Sequence, residues 1–68
     1  MTIPVPGLKP IRNGRLLTMD QLTELSGVSK VTLVRAEVGR GVYPSTIKKL
    51  ARALRVRPAL LTQKVQEG

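Results

Sequence analysis

Sixty-eight residues leave room for one domain around a small core. With neither cysteine nor histidine, the chain excludes disulfide staples, zinc fingers and zinc knuckles. Twelve basic residues against four acidic give a net charge of +8, which points to a polyanion as partner, nucleic acid first. Tyr43 is the single aromatic residue, so the core has to be aliphatic.

Residues 1–8, M-T-I-P-V-P-G-L, read as an extended, proline-rich arm, because alternating prolines hold the backbone near polyproline II. Ile3, Val5 and Leu8 are expected to pack it on the helices rather than leave it reaching into DNA. Pro4, Pro6 and Pro10 interrupt anything like a signal-peptide core, and no run approaches the roughly 20 apolar residues of a membrane span. A cytoplasmic chain on the nucleoid is expected.

The globular part is assigned to residues 9–64, with 65–68 as a frayed tail. A first helix is predicted over Lys9 to Leu17, with Pro10 tolerated in its first turn and Asn13-Gly14 weakening it. From Thr18 to Val38 the pattern is two short helices joined by a tight turn. Thr18 and Gln21 are spaced for a capping box, and Leu22 and Leu25 are expected to share one apolar face. Gly27 ends that helix in a left-handed cap, Val28 plugs the space between the helices, and Ser29 caps the next one. Leu33 and Ala36 then face inward with Val28, leaving Lys30, Val31, Thr32, Val34 and Arg35 facing out.

Gly39 to Tyr43 is a loop. Pro44 and Ser45 open the following helix, with Ser45 as its cap. Ile47, Leu50, Ala51 and Leu54 form an i, i+3, i+4, i+7 core stripe, opposite Lys48, Lys49, Arg52 and Arg55. Arg57-Pro58 closes this helix, and a short last one is predicted from Pro58 to about Lys64. Leu60 and Leu61 pack on the core or on a second subunit. The whole predicts an all-α domain of five helices with no strand.

Two helices, a glycine turn and an outward second helix make the recipe of a helix-turn-helix. Gly27, Val28, Ser29, Leu33 and Glu37 resemble the pattern of the phage repressor/Cro family, also called the XRE family. Leu8, Ile11, Arg12 and Arg15 resemble its L-x-x-L-R-x-x-R lead-in, and Leu50, Ala51, Ala53, Leu54, Val56, Leu60 and Leu61 its ending. Two positions depart: Met19 stands where relatives carry a phosphate-contacting Gln, and Thr23 where they carry Ala.

The resemblance implies a small, sequence-specific regulator of transcription, a repressor first, with a recognition helix of about 29–37 in the major groove. It implies that Lys30, Val31 and Arg35 touch base edges. Arg35 or Lys30 can bond guanine O6 and N7, and Val31 can pack on a thymine methyl. Ser29 and Thr32 would position the helix, and Arg40, Tyr43, Ser45, Thr46 and Lys48 would meet the DNA backbone. Tyr43 has an equal alternative as a lid over Val38 and Ile47. Arg12 is implied to pair with Glu37, a structural contact. A homodimer on DNA through Leu60, Leu61 and Val65 is expected, since three base readers per chain are few. The remaining alternatives are an antitoxin-type or other protein-interaction module that also binds DNA, and a nonspecific nucleoid or RNA binder. No metal, cofactor or membrane partner is expected, and no enzyme, because without His or Cys a nucleophile or base would have to come from Asp20, Glu24 or Glu37.

Overall fold

Each helix in the computed structural model, which describes residues 1–63, starts and stops where local chemistry allows. The five are α1 (Leu8–Gly14), α2 (Met19–Ser26), α3 (Lys30–Glu37), α4 (Pro44–Leu54) and α5 (Pro58–Thr62). Among the described residues there is no strand, only one antiparallel bridge between Ile3 and Val42.

At the amino end of α2 the capping box forms in both directions. The Gln21 N–H donates to Thr18 Oγ1 at 3.1 Å, and the Thr18 N–H donates to Gln21 Oε1 at 2.9 Å. Gly27 closes the helix at φ 76°. Ser29 then caps α3 by accepting the Thr32 N–H at 3.3 Å.

Several boundaries differ from the expectation. The first helix opens at Leu8 and stops at Gly14, short of Leu17. Leu16 turns left-handed at φ 57°, so that its N–H reaches Asn13 O at 3.0 Å and the Leu17 N–H reaches Arg12 O at 3.2 Å. That is a Schellman ending with leucine where glycine is usual, placed where Asn13-Gly14 has already weakened the helix. Ser45 is not the cap of α4. Pro44, which has no N–H to satisfy, takes the first helical position and moves the cap back to Tyr43. The last helix ends at Thr62, where Gln63 becomes extended, and Lys64 lies outside the described residues.

The core is aliphatic throughout. Leu22, Val28, Leu33 and Ala36 from the motif meet Ile47, Leu50, Ala51 and Leu54 from α4, with Leu61 of α5 beneath them. Val5 and Leu8 join from the amino segment, and Val42 from the loop. Burial of these side chains is what holds such short helices, since α-helices of this length are marginal alone. Leu25 does not share the buried face of Leu22. One step round the last turn of α2 carries it past the core to an exposed edge, where it is 60% accessible.

Candidate nucleic-acid interface

The inner face of α3 fixes its outer one. With Leu33 and Ala36 buried, the helix period turns Lys30, Val31, Val34 and Arg35 to solvent, and Val31 is 61% exposed. At the start of α3 the Ser29 and Thr32 hydroxyls lie 2.9 Å apart, tied to each other and to the cap. Lys30 Nζ lies 3.0 Å from Asp20 Oδ1 in an open ion pair between the first turns of α2 and α3. This contact was not foreseen, although Asp20 at the start of α2 is the only acid there that could have suggested it.

At the far end of α3, Glu37 is held from behind. Arg12 Nε donates to Glu37 Oε2 at 2.7 Å and Arg12 Nη2 to Glu37 Oε1 at 2.9 Å. The remaining guanidinium nitrogen, Nη1, donates to the Leu17 carbonyl at 2.7 Å. Hydrogen bonding to Glu37 raises the Arg12 pKa above its ordinary value, and partial burial opposes it. One side chain thus ties α1, the following turn and the end of α3 together. That sets the angle at which the outer face of α3 is presented.

Thr32, Arg35, Tyr43 and Thr46 line one notch of about 240 Å³ beside α3 and the start of α4. Thr2, Gly41 and Val42 complete it. Tyr43 is 61% exposed and Val38 is exposed as well, so Tyr43 is not a lid over Val38; Val42 fills the core at this point instead. Arg40 and Ser45 are exposed close by in sequence, Arg40 on the loop and Ser45 in the first turn of α4. Lys48 stands apart from the notch. It lines a separate groove between α2 and α4 with Leu25, Ser26, Lys49, Arg52 and Arg55.

The surface expected to hold a second subunit is smaller than expected. Leu61 is fully buried, so it packs on this chain and cannot meet another; Leu60 is exposed, and Val65 lies outside the described residues. Among the described residues no helix is long and apolar enough to cross a membrane, and no cluster of acidic side chains could hold a metal ion.

Residues 8–61 match the family model described as helix-turn-helix. Two relatives from Bacillus subtilis (strain 168) align over 51 residues, 72% of this chain. One, the HTH-type transcriptional repressor RghR, is 51% identical, and the other, the uncharacterized HTH-type transcriptional regulator RghRB, is 47% identical. The match spans 38% and 37% of their respective lengths. Among solved structures, the restriction-modification controller protein C.AhdI from Aeromonas hydrophila superposes with a TM-score of 0.76 at 34% identity. That match covers 81% of this chain and 85% of the controller.

Proposed function

The chain belongs to the XRE, or phage repressor/Cro, family of helix-turn-helix DNA-binding regulators, and from that membership we propose how it reads its site. It acts as a repressor in the cytoplasm by laying α3 in the major groove of a specific duplex. The observation that carries this reading is the outer face of α3, where Lys30, Val31 and Arg35 are exposed over a buried Leu33 and Ala36.

Arg35 and Lys30 donate to guanine O6 and N7, and Val31 packs on a thymine methyl. Ser29 and Thr32 hold the start of the helix against the backbone. Tyr43, Ser45 and Thr46 meet phosphates around the start of α4, Arg40 from the loop before it, and Lys48 from the next groove. The similarity to RghR supports repression as the outcome.

On DNA the working unit is a two-fold dimer. Three readers, each worth about 1–3 kcal/mol, supply little against the roughly 4–10 kcal/mol that separates specific from nonspecific sites. Leu60 and a shallow strip of Ile3, Pro44, Pro58 and Ala59, edged by Lys48 and Thr62, offer the contact surface. A strip so small predicts a chain that is monomeric when dilute and pairs on the duplex.

Selection of bound duplexes from a random pool tests the reading. A recovered inverted repeat with half-sites about one helical turn apart is the expected product. Recovery of unrelated sequences would leave a charge-driven, nonspecific binder. Sedimentation with one half-site and then two decides the dimer, which fails if the full site holds one protein.

A further inference from the structure

The amino segment is pinned at two points. Ile3 donates its N–H to the Val42 carbonyl at 2.8 Å and accepts the Val42 N–H at 2.9 Å. Further along, Val5 is buried in the core and the Gly7 N–H donates to the Leu61 carbonyl at 2.9 Å. A side chain at Gly7 would run into the Leu60 carbonyl. The segment therefore spans from α5 to the loop that leads into α4.

Gly41 is where loop and segment meet most closely. Its φ is not in the left-handed region, so glycine is not required by the backbone. Space requires it: a Cβ there would lie 2.8 Å from Thr2 Cβ and Oγ1 and 2.9 Å from the Ile3 amide nitrogen. The close approach is what brings Thr2 to the wall of the notch, facing the residues from α3 and α4.

Chemically, the notch is four hydroxyls and a guanidinium, with no acid among its lining residues; the Thr32 hydroxyl is already tied to Ser29. Among the described residues, none of the hydroxyls of Thr2, Tyr43 and Thr46 is engaged in a side-chain hydrogen bond; the hydroxyls that are engaged belong to Thr18, Ser26, Ser29, Thr32 and Thr62. Donors without acceptors beside a fixed positive charge suit an acceptor-only anion. We propose that the amino segment is a third element of the DNA interface. Paired with Val42, it places the Thr2 hydroxyl to take one backbone phosphate together with those of Tyr43 and Thr46. The inference rests on the DNA-binding reading above and adds to it a contact outside the helix-turn-helix.

The test uses the full chain, its Thr2→Val and Gly41→Ala variants, a selected duplex and a random one. A second set of selected duplexes carries one neutral methylphosphonate at each backbone position in turn. Thr2→Val should melt with the parent chain and bind both duplexes about three- to tenfold more weakly, leaving their ratio unchanged. At one methylphosphonate position the variant should lose nothing further, because the phosphate it served is already gone. Gly41→Ala should show the same pattern with a larger loss, since it displaces the segment as well as the hydroxyl. Unchanged binding by Thr2→Val, or an equal loss at every methylphosphonate, overturns the proposal. So does a drop in melting temperature large enough to explain the weaker binding. A changed ratio between selected and random duplex would make Thr2 a base contact and overturn the phosphate assignment. If instead the parent chain shows no preference for any sequence, base reading by α3 fails, while the uniform loss from Thr2→Val is still measurable on random DNA.

Discussion

Two ion pairs hold the two ends of α3, and they differ in burial far more than in length. Arg12 and Glu37 meet at 2.7 Å with side chains only 13% and 5% exposed. Lys30 and Asp20 meet at 3.0 Å with side chains 58% and 77% exposed. Water screens the second pair and hardly reaches the first. The first is bidentate and carries a third bond to Leu17, while the second is a single contact between flexible side chains. Burial thus makes one pair part of the scaffold and leaves the other exposed, as the proposed base contact of Lys30 requires.

The largest expected effect breaks the buried pair. Arg12→Ala leaves the Glu37 carboxylate enclosed without a partner and frees the Leu17 carbonyl, which should cost about 3–5 kcal/mol. Denaturant unfolding measures it. Pairing Arg12→Met with Glu37→Leu should recover most of the loss, because no carboxylate is then left unpaired and only the Leu17 carbonyl still lacks its donor. A single variant as stable as the parent would mean the pair does not fix α3 at all. The raised Arg12 pKa adds a sign. A cation held above its ordinary pKa gives its full contribution below that value and loses it only as pH climbs past it. Its end of the pair should therefore be insensitive to pH across the neutral and mildly alkaline range.

Next in size is the outer face that the buried pair presents. Arg35→Ala should cost about 1–3 kcal/mol of binding to the selected site and relax the preference at one base pair. Equal loss on selected and random duplex would demote Arg35 to a backbone contact from within its notch.

Lys48→Ala should do less and do it evenly. Under the proposed role of a lone phosphate contact in the groove away from the notch, its loss should weaken all duplexes alike and lower the salt slope by about one. Loss confined to the selected site would place Lys48 among the readers instead.

How much of this was legible from residues alone follows from the range of each interaction. The capping box at Thr18, the left-handed Gly27, the Ser29 cap and the stripe from Ile47 to Leu54 are local, and spacing reveals them. The family pattern supplied Arg12 with Glu37 across 25 residues, which spacing alone does not offer. Contacts with neither aid were missed. Val42 sits in a loop with no periodicity, and its bridge to Ile3 depends on how the whole chain closes. Leu25 resembles core beside Leu22 because a three-residue step often shares a face, but in the last turn of α2 it lies on an exposed edge. Thr23, small enough to replace alanine, keeps the helices close, but its Oγ1 is buried with no partner among the described residues. A volume argument does not detect that cost.

The smallest expected effect sharpens the comparison at the exposed pair. An open pair of this kind is worth about 0–1 kcal/mol, and Asp20 also gains a few tenths from the positive end of α2. Asp20→Asn should therefore cost less than about 1 kcal/mol in stability. On DNA its sign should reverse. In the free protein Asp20 holds the Lys30 ammonium, and near a duplex its carboxylate faces phosphates of like charge. Removing that charge releases Lys30 and removes the repulsion, so affinity should rise a few-fold at low salt. The gain should shrink as salt rises, because screening at about 0.15 M already reaches within about 8 Å. Titrating parent and variant against the selected duplex at several salt concentrations measures both. A fall in affinity on Asp20→Asn would show that the pair places Lys30 for its base rather than competing with it, and the exposed pair would then belong with the buried one as part of the scaffold.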